Sequence, residues 1–252
     1  MAKKDDYRST PGLIYKAAEL TAQEVTPDEM EAINRFTLTP LSADDVFTFR
    51  AVLCDNEIDR QQERFSLPAM NRLKELFLGK TVIKDHTRKT DNQVARIYRT
   101  ELVTSADRMT AAGEHYTQLA AHCYMVRTES NADLIREIQG GIKREGSVGC
   151  SVGKAVCSIC GVDNMQGYCR HFPGMTYENQ VCTFTLDDAQ DAYEFSLVAV
   201  PAQVAAGACK SYGGEPLFAP AADIQRFKRL DLRARLAAQK AKYDKTGGAE
   251  QV

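Results

Sequence analysis

The spacing of apolar positions along the chain changes several times, and each change marks an element. Met30, Ile33 and Phe36 recur at helical intervals behind Thr26-Pro27-Asp28-Glu29, a capping box with proline in the first turn, so a short helix starts there. From Val46 to Leu53 the pattern is dense in β-branched and aromatic residues and predicts a strand, broken at Asp55-Asn56. Leu73, Leu76 and Phe77 then form the apolar stripe of a helix that begins near Ser66-Leu67-Pro68 and ends at Gly79. Thr81-Val82-Ile83 is a short buried strand. Two longer strands follow, Gln93–Val103 and Tyr116–Val126, joined by a polar connection through Ser105-Ala106-Asp107. Asn131–Gln139 is helical, with Leu134, Ile135 and Ile138 on one side, and Gly140-Gly141 stops it. A small-residue strand around Ser147 comes next, and strands at Val181–Leu186 and Ala192–Val200 close the series. In the last of these, Glu194, Ser196 and Val198 face away from Phe195, Leu197 and Ala199.

This divides the chain into an N-terminal arm with a short helix (1–40), a main domain (41–212) and a tail (213–252). The tail combines a Gly/Pro linker with an amphipathic helix rich in Lys and Arg. A cysteine-rich insert occupies 156–175. No internal repeat is visible.

Composition narrows the function classes. A formal net charge of −2 over 252 residues provides no basic field for nucleic acid, and aromatic–basic clustering is missing near the cysteines. No apolar run approaches bilayer length, and residues 1–10 are polar without an export-type core, which leads us to expect a reducing cytoplasm and no membrane. Eight cysteines in that setting point to thiols or metal ligands rather than disulfides.

Cys157-Ser158-Ile159-Cys160-Gly161 is the most specific local signal. Two cysteines separated by two residues can direct both thiolates at one ion, and the following glycine permits the tight turn this requires. Cys169 and His171 complete a Cys₃His set, with Cys182 an alternative for either. A closed set of four predicts a structural zinc ion, not a catalytic one.

Arg144-Glu145-Gly146-Ser147-Val148-Gly149 raises a different chemistry. Small neighbours let a substrate backbone approach the Ser147 hydroxyl, which becomes a nucleophile only when a base removes its proton. Of four histidines, His171 belongs with the cysteines, and His115 and His122 lie on one strand. His86 follows the end of a buried strand, where sheets commonly display reactive groups. Glu194, flanked by Phe195 and Leu197, needs a donor or cationic partner if it is enclosed. Ser151, on the same strand face as Ser147, is the second candidate nucleophile.

Lys84-Asp85-His86, the helix ending in Gly140-Gly141, Gly146-Ser147-Val148-Gly149 and Glu194-Phe195-Ser196-Leu197-Val198-Ala199-Val200-Pro201-Ala202 occur in this order. In order and context they resemble the prohead (capsid maturation) serine proteases of tailed bacteriophages, which are similar in fold to the herpesvirus assemblins. The strand Phe47–Leu53 with Asp55, Asp59 and Arg60 also looks like their N-terminal strand and loop, so the likeness spans roughly residues 45–210. It implies an α+β fold, a mostly antiparallel, barrel-like sheet surrounded by helices, here with a zinc-knuckle insert. It further implies His86 as general base, Ser147 as nucleophile and Glu194 as third member, although that position is a histidine in the herpesvirus branch. The implied substrates are the scaffolding segment of a major capsid protein, other internal proteins and the protease itself. The implied setting is the assembling procapsid in the host cytoplasm, with dimeric self-association. The competing expectation is a non-enzymatic, zinc-stabilised assembly module of the same fold.

Overall fold

The computed structural model describes residues 13–199 apart from 24 and 168, with the backbone alone for 13–23. These residues fall within the first of two compact units, Met1–Ala208. The linker and basic helix expected over 213–252 lie outside the described residues.

Three helices and ten strands follow in the order β1 (Leu13–Gln23), α1 (Pro27–Asn34), β2 (Val46–Asp55), β3 (Glu63–Phe65), α2 (Leu67–Leu76), β4 (Thr81–Lys84), β5 (Ala95–Met109), β6 (His115–Val126), α3 (Glu129–Gln139), β7 (Glu145–Cys157), β8 (Thr176–Tyr177), β9 (Gln180–Val181) and β10 (Phe184–Leu197). Local chemistry explains the helix starts. The Thr26 hydroxyl accepts from the Glu29 N–H at 3.3 Å while the Glu29 carboxylate accepts from the Thr26 N–H at 2.9 Å. Ser66 caps α2 through the Ala69 N–H at 3.1 Å. Gly79, beyond the end of α2, has φ 78°, which a glycine adopts without Cβ strain.

Eight strands form one sheet in the order β3-β10-β4-β5-β6-β2-β1-β7, with a further pairing between β10 and β7. The sheet is mixed and mostly antiparallel: β3 and β4 join β10 in parallel, and the remaining ladders are antiparallel. This corrects the expected architecture of a barrel-like sheet ringed by helices. The α+β class and the mostly antiparallel sheet are as expected, but two short strands run parallel to β10 and the described residues hold three α-helices, too few to surround the sheet. The arm also differs from expectation. Residues 13–23 form β1, seated between β2 and β7. The run Leu13-Ile14-Tyr15-Lys16-Ala17-Ala18-Glu19-Leu20 lacks the strict alternation that identifies a half-buried strand, so only pairing reveals it. Similarly, β5 continues through the polar residues 105–107 to Met109, and the two terminal strands expected after the insert are one, β10, from Phe184.

One core cluster holds the sheet and helices together. Phe49 and Leu53 of β2, Met70 and Leu73 of α2, Leu119 of β6, Val148 and Cys150 of β7, and Phe195 and Leu197 of β10 are all buried in it. Phe195 is fully enclosed. Removing its ring would cost about 3–5 kcal/mol, from lost transfer energy and the cavity left behind. Because side chains alternate along a strand, burying Val148, Phe195 and Leu197 inward turns Ser147, Glu194 and Ser196 to the opposite face.

Candidate active site and metal cluster

Ser147 of β7 and Ser196 of β10 are direct cross-strand partners, and Glu194 stands opposite Gly149 two pairs further on. Direct partners project from the same face, with Cβ atoms about 4.5–5.5 Å apart. On the other side of β10, Glu194 pairs with Thr81 and Ser196 with Ile83 of β4. The Lys84–Thr87 turn follows, closed by the Thr87 N–H on the Lys84 carbonyl at 3.0 Å. Its central residues, Asp85 and His86, have φ 53° and 52°, as in a type I′ turn. Aspartate and histidine enter this region more readily than most residues, but two in succession must be held there by their surroundings.

Hydrogen bonds supply that hold. The Asp85 N–H donates to the Leu197 carbonyl at 3.0 Å, and the His86 N–H donates to Ser196 Oγ at 3.0 Å. Ser196 in turn donates to Glu194 Oε2 at 2.8 Å, and Glu194 Oε1 lies 2.8 Å from His86 Nδ1. Glu194 is 1% exposed, and each of its oxygens has a hydrogen-bond partner in place of water. The turn therefore folds the imidazole back onto the buried Glu194 carboxylate, on the sheet face that bears Ser147. A cavity of about 280 Å³ opens against Glu194, walled also by Ile83, Arg88, Lys89 and Tyr193. The Arg88 guanidinium lies 4.6 Å from the Tyr193 ring centre.

His86, Glu194 and Ser147 are thus gathered on one sheet face. Ser147 is 4% exposed. Ser196, which links the His86 backbone to Glu194, was not singled out in the sequence. Its place two residues after Glu194 was the available signal. The other candidates separate from this site. Ser151 accepts a hydrogen bond from the Tyr193 hydroxyl at 3.2 Å. His122 is buried with Nε2 3.1 Å from Glu101, and burial lowers its pKa despite that partner. His115 is exposed at the start of β6.

The cysteines assemble at the far end of the same β7–β10 ladder. Ligand atoms of Cys157, Cys160, Cys169 and His171 lie within 4.8 Å of one another. Cys157 is the last residue of β7 and pairs with Phe184, the first of β10. The Gly161 N–H closes the Cys157–Gly161 turn on the Cys157 carbonyl at 2.9 Å, and Gly161 takes φ 71°. Burial opposes ionisation of the Cys157 thiol. The Cys160 and Ile159 amides and the neighbouring thiols outweigh it and draw the pKa down. A thiolate is the form that binds metal, so this donor set fits a thiophilic ion. The seven described cysteines are all free thiols. Among the described residues, no helix is long and apolar enough to cross a membrane.

No family model, curated protein or solved structure matches the chain.

Proposed function

We propose that this chain is a serine endopeptidase of the prohead-maturation kind, with Ser147 as nucleophile, His86 as general base and Glu194 as the group that orients it. The observation that carries the reading is the 2.8 Å contact between His86 Nδ1 and the buried Glu194 carboxylate, on the sheet face that bears Ser147. A carboxylate there fixes the Nδ1–H tautomer, so Nε2 is the nitrogen that must exchange a proton with the serine. Ser147 Oγ bonds to the peptide carbonyl carbon as its proton passes to Nε2. Collapse of the tetrahedral adduct breaks the C–N bond, and Nε2 returns the proton to the departing amine. Water then repeats the sequence on the acyl-enzyme. Ser147 and His86 must close together for this; catalytic hydrogen bonds are often long in ligand-free proteins.

The substrates in this reading are scaffold and capsid precursor segments and the protease itself. Cleavage takes place inside the assembling procapsid, with self-association as a dimer. Zinc is the ion we assign to the cysteine cluster, in a structural role. Nine residues of β7 lie between Ser147 and Cys157, about 30 Å of strand, which removes the ion from the reaction.

A non-enzymatic, zinc-stabilised assembly module is the second reading. It is favoured by the Cys157, Cys160, Cys169 and His171 cluster, which can hold the fold together without any catalytic step. Fluorophosphonate labelling of the wild type, Ser147→Ala and His86→Ala, with mass spectrometry of a co-expressed capsid partner, separates the two. An enzyme shows labelling and a truncated capsid chain that both variants lose. An unlabelled wild type and an intact capsid chain leave the assembly module.

A further inference from the structure

A fifth donor stands beside the four of the metal cluster. Cys182 Sγ is 3.8 Å from Cys157 Sγ, and both side chains are buried. With zinc–sulfur bonds of about 2.3 Å, the edge of a tetrahedron of four sulfurs is about 3.8 Å. Cys182 is also held in place by its backbone. Its N–H donates to the Met175 carbonyl at 2.8 Å and its carbonyl accepts from the Gly174 N–H at 2.8 Å, the base of the β8–β9 hairpin. With Cys157 and Cys169 it forms a small buried cluster with Phe184.

His171 belongs to the set whose ligand atoms lie within 4.8 Å of one another, but its surroundings differ from those of Cys182. It is half-buried, and its ring stands edge-on to Tyr177 with centres 4.6 Å apart. Its Nδ1 lies 3.8 Å from Cys157 Sγ. A nitrogen–sulfur tetrahedral edge is shorter, about 3.5–3.6 Å, because zinc–nitrogen bonds are about 2.0–2.1 Å. The observed separation suits an N–H···S hydrogen bond, to which the Ile159 N–H adds another on the same sulfur at 3.4 Å.

We infer that the metal centre is a four-sulfur site, Cys157, Cys160, Cys169 and Cys182, with His171 hydrogen-bonded to a thiolate from outside it. Such donors offset the charge of four thiolates and orient the ligands. The assignment changes what the ion does for the fold. Cys182 lies two residues before β10 and Cys157 ends β7, so a shared ion staples the mouth of the β7–β10 ladder and binds in the 174–182 hairpin.

The test uses the zinc-loaded full chain, and its readouts need no activity. X-ray absorption at the zinc edge should show four sulfurs at about 2.3 Å and no nitrogen at about 2.0–2.1 Å. Cobalt substitution then assigns the residues. His171→Gln should keep one metal per chain and the full thiolate-to-metal charge-transfer intensity. Cys182→Ser should lose about a quarter of that intensity or release the metal, since one of four sulfurs is gone. A first shell of three sulfurs and one nitrogen overturns the assignment. So does a Cys182→Ser protein with undiminished intensity, or a wild type that binds neither zinc nor cobalt.

Discussion

Changing Glu194 to glutamine probes the reaction geometry most directly, because size and burial stay the same while one acceptor becomes a donor. In the wild type one carboxylate oxygen takes the His86 Nδ1 proton and the other takes the Ser196 hydroxyl proton. The amide has two possible orientations. If its NH₂ faces Ser196, that hydroxyl loses its acceptor while still receiving the His86 N–H. If its oxygen faces Ser196, the NH₂ donates to Nδ1 and every hydrogen bond is kept, provided the ring proton moves to Nε2. The second orientation costs less, and in the proposed mechanism it disables the base, since a protonated Nε2 cannot accept the Ser147 proton. The same tautomer reversal lowers kcat about 10⁴-fold in serine proteases, equivalent to about 5 kcal/mol of transition-state stabilisation. Stability should change far less, by about 1 kcal/mol, because the hydrogen-bond count is unchanged. Fluorophosphonate labelling rates give the kinetic loss, and imidazole ¹⁵N shifts report the proton moving from Nδ1 to Nε2. An unchanged labelling rate, or a rate loss with the proton still on Nδ1, would refute the reasoning.

Ser196→Ala strips one donor from buried Glu194 and the acceptor from the His86 N–H. It should destabilise the fold by about 2–4 kcal/mol and lower kcat more than it raises KM, as thermal melts and peptide hydrolysis will show. A chelator should expose the amides of Ser158 and Phe184 to hydrogen exchange before those of Val148 and Phe195, because the cluster sits at the opposite end of the ladder from Ser147. Burial holds the pKa of His122 below its ordinary 6.5, so the unfolded chain takes up the proton first. That contribution is intact above pH 6.5 and is lost as the pH falls through the depressed folded value. Melting temperature against pH should therefore drop more steeply in acid for the wild type than for His122→Gln, and parallel curves would sink the assignment.

Much of this was legible in the residues themselves, because it depends on local periodicity and capping. Thr26 and Glu29 announce α1, Ser66 announces α2, and the Leu73 and Phe77 stripe buries as its spacing requires. Alternation in β10 already set Glu194 and Ser196 against Phe195 and Leu197. The spacing of Cys157 and Cys160, with Gly161 after them, marked the metal cluster. Pairing is a long-range property, and that is where the sequence fell silent. No local pattern says that residues 13–23 enter the sheet between β2 and β7, or that β10 runs parallel to β4. Yet that parallel register carries His86 to Glu194 across more than a hundred residues, and left-handed backbone at Asp85 and His86 finishes the approach. Tertiary structure likewise brought Cys182 against Cys157, since a hairpin's return path is decided by what it packs on and not by its composition.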